Sequence, residues 1–300
     1  VKAFVSGNHG FLGRHFTRTL VERGWTVEGC DVARRRGLVL PDDDARWWFQ
    51  HCNDRFDLVV HCAAVEPHRA AIDGQPMHLA RNLQLDSAMF DWAVRTGQGR
   101  VLYLSSSAAY PVAVQSAVYA KVHAEDGRDW TMPEGLAGAG LPDADYGWCK
   151  LTGERMAEAA RAAGVPVTVV RPFSGYGEDQ DERWPFGAFA VRARRREDPF
   201  VIWGDGTQVR DWIHVSDLVD GALTLVDNGV DGPVNLCTGV GTSMRDLVTL
   251  MCTMVGYSPR VELRPDMPAG VAYRVGDPTL MQRWYTPEVS LVEGVKRALA

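Results

Sequence analysis

Lys2-Ala-Phe-Val-Ser-Gly7-Asn-His-Gly10-Phe-Leu-Gly13 opens the chain with a short apolar run, three glycines at equal spacing, and the start of a helical pattern. Gly7 suits a tight turn, Gly10 lets an anion approach the backbone, and Gly13 lets a helix pack closely on a strand. A helix N-terminus also favours negative charge, so the stretch reads as a cradle for a pyrophosphate. Asp31 follows 18 residues after Gly13 and closes the next strand-like run. A carboxylate there accepts hydrogen bonds from adenosine ribose hydroxyls and repels a 2′-phosphate, which predicts NAD over NADP. Arg34, Arg35 and Arg36 keep NADP open, since a guanidinium can pair with that phosphate; the plainer reading is a solvated basic turn.

Working outward, short apolar runs at 2–6, 26–30, 58–61, 101–105 and 167–171 alternate with helical patterns at 12–23, 79–96 and 146–163. Strands of this kind, bounded by Gly, Asp or Pro, are those of a parallel sheet covered on both faces. The expected fold class is α/β, a doubly wound parallel sheet with a smaller C-terminal substrate-binding domain. After Arg171-Pro172 the chain turns rich in Gly, Pro, Trp and Asp, so 173–210 reads as loops with one helix near 186–196. A helix at 215–226 and a strand at 234–236 return to the first sheet, and two helices lie beyond Ser243. The division is therefore 1–172, with return segments near 211–240, against 173–210 and 241–300.

A net charge of −6 argues against a nucleic-acid binder, which needs a basic surface. No apolar run approaches membrane-spanning length and none precedes the first strand, so a cytoplasmic protein without a membrane partner is expected. The six cysteines are scattered and read as reduced core thiols. His51-Cys52 and His61-Cys62 fit no zinc spacing, and no metal is expected.

Tyr146-Gly-Trp-Cys-Lys150 places a phenol and an ammonium one helical turn apart on the same face. The ammonium favours the phenolate, so Tyr146 can take a proton from a substrate hydroxyl as hydride leaves the carbon. Val101-Leu-Tyr-Leu-Ser105-Ser106-Ser107-Ala-Ala-Tyr110 brings hydroxyls to the C-terminal end of a strand, where parallel sheets bind ligands.

Together the glycine turn, Asp31, His61-Cys-Ala-Ala64, Asn82, the serine run, Tyr146/Lys150, Arg171-Pro-Phe-Ser-Gly-Tyr-Gly177 and Gly204-Asp-Gly-Thr-Gln-Val-Arg-Asp-Trp-Ile-His-Val215 resemble the extended short-chain dehydrogenase/reductases. The resemblance runs nearly the whole chain, in order, and implies an NAD-dependent, Rossmann-type enzyme acting on a nucleotide sugar. It implies catalytic roles for Tyr146, Lys150 and Ser106, with Ser107 as a neighbouring alternative at the substrate. It places Gly7, Gly10, Phe11, Leu12, Gly13, Asp31, Ala63, Ala64, Asn82, Ser105, Tyr146, Lys150 and Pro172 at the cofactor. Asp44, one of three adjacent aspartates with Asp42 and Asp43, resembles the acid that contacts adenine. Arg210 resembles the arginine that pairs with the substrate diphosphate; Arg274 is a second candidate, and Ser174 stands where relatives usually carry Asn.

Dehydratases of this group resemble Thr-Asp-Glu-x-Tyr, but the corresponding acids are Ser107 and Ala108 here. Ala108 also replaces the glutamate of the decarboxylases and the cysteine of the 3,5-epimerases. What remains is hydride transfer, so a 4-epimerase working through a 4-keto intermediate is expected. The alternatives are a sugar reductase or dehydrogenase, a 4,6-dehydratase, and a non-catalytic NAD-binding regulator. Relatives pair through two long helices, which implies a homodimer through 79–96 and 146–163. The 40 residues from Ser106 to Tyr146 exceed those of many relatives; the extra part near 121–141, with His123, Glu125, Arg128, Asp129 and Trp130, reads as a lid or wall beside the sugar. Glu66-Pro-His68-Arg69 follows the third strand and can approach the sugar or form an exposed loop. Trp184, Phe186 and Trp203 can flank a base or pack in a core.

Overall fold

Alternate residues of the first strand, β1 (Lys2–Ser6), are buried toward opposite faces, because side chains on a strand alternate. Ala3 and Val5 join an apolar layer with Phe16 and Leu20 of α1 (Phe11–Glu22) and Leu218 and Val219 of a later helix. Phe4 joins the opposite layer with Phe49 of α2 (Ala45–His51) and Met89 and Trp92 of α3 (His78–Thr96). The computed structural model describes residues 1–32, 44–65, 77–124 and 129–300. Arg34, Arg35, Arg36, Asp42, Asp43, Glu66, His68, Arg69, Glu125 and Arg128 lie outside the described residues.

β2 (Thr26–Cys30), β3 (Leu58–His61), β4 (Val101–Leu104) and β5 (Val167–Pro172) complete the first half of the sheet. Helices α4 (Ala117–His123) and α5 (Ala144–Ala162) lie between β4 and β5. β6 (Ser174–Tyr176), α6 (Pro185–Arg194), β7 (Phe200–Trp203), β8 (Val209–His214), α7 (Val215–Asp227) and β9 (Val234–Leu236) follow. The strand order is β2-β1-β3-β4-β5-β9, parallel throughout. This is a Rossmann-type, doubly wound sheet, as the sequence led one to expect. Its order reverses at β1, where such sheets open a crevice for ligands.

The region 173–210 departs from the expectation of loops and a single helix. It holds β6, β7 and the start of β8, strands of three to six residues whose partners lie far along the chain. β8 pairs with β6, β10 (Gly241–Ser243) and β12 (Tyr273–Arg274), and β7 pairs with β11 (Val261–Arg264). Phe186, Phe200, Ile202 and Trp212 form a third core with α8 (Met244–Val255) and α9 (Leu291–Leu299).

The long segment before α5 is fastened along 129–137. The Met132 amide donates to Val275 O and its carbonyl accepts from Asp277 N and Asn235 Nδ2, while Tyr273 donates its hydroxyl to Trp130 O. These hydrogen bonds tie this stretch to β9, β12 and the segment after β12. Among the described residues, no helix is long and apolar enough to cross a membrane.

One buried ion pair clamps α5 to β5. Arg171 donates from Nε to Glu154 Oε1 at 2.8 Å and from Nη2 to Oε2 at 2.7 Å, with both side chains nearly excluded from water. Deleting one partner strands the other charge, so Arg171→Leu is expected to cost about 3–5 kcal/mol. Urea denaturation measures this; a loss below about 1 kcal/mol, the scale of a surface pair, would show that the clamp contributes little.

Candidate active site

The cofactor end begins with an absence of side chains. Gly7 has φ +69°, and a Cβ there would lie 2.8 Å from Ala63 N. A Cβ on Gly13 would collide with the Gly7 carbonyl oxygen, so α1 sits directly on the turn. Gly10 caps α1 with no side-chain hydrogen bond, which leaves the first-turn amides at Phe11, Leu12 and Gly13 without a side-chain acceptor. Such a terminus fits a pyrophosphate. Asp31, at the end of β2, accepts from His9 N at 2.9 Å, which fixes its carboxylate beside the turn.

Ala63 and Ala64 follow β3, the Ala63 amide donating to Ser6 Oγ. Asn82 on α3 accepts from Val65 N at 2.7 Å and donates to Val65 O at 3.0 Å, so it holds this loop against the helix. Pro172 ends β5, and Ser174 begins β6 just beyond it.

The catalytic end uses the same device. A Cβ on Gly147 would strike Ala108 O, and one on Gly153 would strike the Tyr103 hydroxyl. These two glycines bring α5 down onto the end of β4, carrying Tyr146 and Lys150 with it. Lys150 is buried and donates from Nζ to Leu104 O at 2.9 Å; that nitrogen lies 5.6 Å from the centre of the Tyr146 ring. Ser106 caps the short 3₁₀ turn Ser107–Ala109, accepting from Ala108 N at 3.1 Å, and Asp143 N donates to Ala108 O. Tyr146, Lys150, Ser106 and the buried Ser107 therefore share one edge of the sheet.

Several expected site residues are engaged elsewhere. The Ser105 hydroxyl donates to Glu154 Oε1 at 2.5 Å and so turns toward the Arg171 clamp rather than the edge. Asp44 caps α2 through Arg46 N and pairs with the Arg46 side chain, whose hydrogen bond outweighs burial and holds the carboxyl below its ordinary pKa. Arg274 donates to Gln115 Oε1 and to Asp143 Oδ2, which ties β12 to the start of α5. Arg210 lies on β8 and donates to Val209 O and Ala269 O. Phe186 is a core residue, packed on Tyr176, whereas Trp203 is exposed.

The sequence reading passed over Glu154 and Asp143. The spacing from Lys150 to Glu154 is one helical turn, which puts both on one face and was the available signal. Nothing local marks Asp143, whose partner Arg274 is 131 residues away.

The sequence profile of the NAD dependent epimerase/dehydratase family matches residues 3–237. The chain belongs to this family of nucleotide-sugar enzymes, and its cofactor is NAD. The dTDP-4-dehydro-6-deoxy-D-allose reductase of Streptomyces bikiniensis is 28% identical over 299 residues, covering 92% of this chain and 88% of that protein. UDP-glucose 4-epimerase of Thermotoga maritima, solved with UDP-glucose, shares the fold with a TM-score of 0.81 and 23% identity, covering 100% of this chain and 97% of that one. The Thermus thermophilus UDP-glucose 4-epimerase, in complex with NAD, gives 0.82 and 20% identity, covering 100% and 98%.

Gly13→Ala forces the turn and α1 apart, at a cost of about 1–3 kcal/mol typical of overpacking. NAD affinity by isothermal titration is expected to fall roughly 10- to 100-fold, the equivalent of that cost, with the circular dichroism spectrum retained. Unchanged affinity would separate this contact from cofactor binding.

Proposed function

We propose that the chain is an NAD-dependent nucleotide-sugar 4-epimerase. The observation that carries the reading is the pairing of Tyr146 with buried Lys150 beside a turn, Ser106-Ser107-Ala108, that bears no carboxylate. Elimination of water needs an acid and a base at neighbouring carbons, and this turn supplies neither. NAD, when bound, accepts a hydride from the sugar carbon and can return it.

In this reading Tyr146 takes the proton of the C4 hydroxyl, and the Lys150 charge favours its phenolate. Ser106 Oγ holds the same hydroxyl. Once the 4-keto sugar has turned over, Tyr146 returns the proton to the oxygen on the other face. Arg210 is the residue proposed for the diphosphate, since a guanidinium fork matches phosphate oxygens. Arg274, held by Gln115 and Asp143, is proposed to set the start of α5 and to reach substrate only through it. Ser174, being short, leaves room at the phosphate. The stretch 129–137 is proposed as one wall of the sugar site.

A second reading, a 4-keto-sugar reductase, is favoured by the likeness to the Streptomyces reductase. The same residues serve it, but each 4-keto sugar reduced would oxidise one NADH to NAD, whereas the epimerase would end each turnover with its NAD restored. We also propose a homodimer through α3 and α5, which pack against each other; light scattering that shows a monomer would remove it.

The test incubates the protein with a panel of nucleotide sugars and follows each by proton NMR and by NADH absorbance. A C4 epimer with no net NADH is expected. Tyr146→Phe should lower turnover by roughly 10²- to 10⁴-fold, the usual contribution of a positioned acid–base group. Consumption of NADH by a 4-keto sugar selects the reductase, and full activity in Tyr146→Phe would end both readings.

A further inference from the structure

Behind Lys150 lies a chain of buried polar groups that the reaction above does not use. Ser6 Oγ lies 2.8 Å from His61 Nδ1, His61 Nε2 lies 3.1 Å from Asp86 Oδ1, and Tyr103 donates its hydroxyl to Asp86 Oδ2 at 2.6 Å. Each of these side chains is almost wholly excluded from water. Burying an ionised carboxylate this way is costly unless a charge opposes it.

Ser6 Oγ accepts from Ala63 N and lies on His61 Nδ1, so His61 is held between Ser6 and Asp86. Tyr103 is neutral, because burial and the adjacent Asp86 push its pKa well above the ordinary value. Burial alone would raise the Asp86 carboxyl, but the His61 hydrogen bond and then the Lys150 charge outweigh it and hold it below the usual range. Lys150 also lies 5.4 Å from the centre of the Tyr103 ring.

We infer that Asp86 is a positioning residue for the Tyr146–Lys150 pair: its buried negative charge, held by His61 and Tyr103, opposes Lys150 and so limits how far Lys150 lowers the phenol. The inference rests on the reading of Tyr146 as the acid–base group. Among the described residues, the elements around the pair carry other charged or titratable groups, including His78 and Arg81 on α3. β3 supplies His61 and β4 supplies Tyr103. α5 and its start supply Asp143, Asp145, Cys149 and Glu154, and β5 supplies Arg171. Asp143 is paired with Arg274, and Glu154 with Arg171.

The test needs no substrate. Ultraviolet titration of the NAD-loaded protein, minus that of its Tyr146→Phe variant, isolates the Tyr146 phenol. The same difference is then taken in Asp86→Asn, which keeps the shape and an acceptor for Tyr103, and in Asp86→Thr, a neutral side chain of similar volume whose hydroxyl can also accept from Tyr103. Removal of the negative charge is expected to move the Tyr146 midpoint down by about one pH unit. The acid limb of kcat/KM should move with it once a substrate is known.

An unchanged or raised midpoint in a folded variant overturns the inference and leaves the reading of Tyr146 intact. A wild-type midpoint at the ordinary value of about 10 overturns both. If neither neutral variant folds, Asp86 is a folding residue and the assignment fails.

Discussion

The rest of the structure depends on how α1 is seated on the turn after β1, where Gly13 lies on the Gly7 carbonyl with no room for a Cβ. Because that helix sits so low, its uncapped first turn faces the crevice between β1 and β3, and Gly7 in turn touches Ala63 at the end of β3. The catalytic side repeats the arrangement through Gly147 and Gly153, which let α5 settle onto β4. Both ligand-facing ends are thus set by helices packed onto strand ends at backbone distance. Such close packing places the glycine turn and the proposed acid–base pair on a common edge of the sheet.

The sheet interior is apolar, yet the charged or ionisable side chains of His61, Asp86, Lys150, Glu154 and Arg171 are buried close to α5. Their arrangement keeps each charge opposed. Glu154 and Arg171 neutralise one another bidentately and also take in the Ser105 and Tyr110 hydroxyls. Lys150 has its Nζ on the Leu104 carbonyl, with Asp86 behind the Tyr103 ring. The Glu154–Arg171 pair and the Lys150 contact with the Leu104 carbonyl therefore both hold α5. The Arg274–Asp143 pair adds a third tie at the helix start, so the catalytic helix is fixed along its length by charges rather than by apolar packing alone.

The strands β1 to β5 and the three long helices beside them were legible from sequence because burial on both faces leaves continuous apolar runs with Gly and Pro punctuation. The glycine turn, Asp31 and the Tyr146/Lys150 spacing were legible because each depends on neighbours within a turn or a strand. β6, β7, β10 and β12 were not: strands of two to four residues carry no period, and their partners lie 30 to 64 residues away. The engagement of Ser105 by Glu154 and of Arg274 by Asp143 was likewise hidden, since a sequence shows an arginine or a hydroxyl without showing which acid takes it. The anchorage of 129–137 depends on Val275 and Asp277, far along the chain, so the sequence left a lid and a wall equally open there.

The central claim is that one hydride leaves C4 and returns to it within a single turnover. The most direct measurement starts from a nucleotide sugar deuterated at C4, with unlabelled NAD in the surrounding solution, and follows the label by mass spectrometry and NMR. The account predicts that both C4 epimers keep the deuterium at C4, with none in free NADH and no hydrogen taken from water. Deuterium appearing in the soluble cofactor, or lost from C4 in the product, would contradict it.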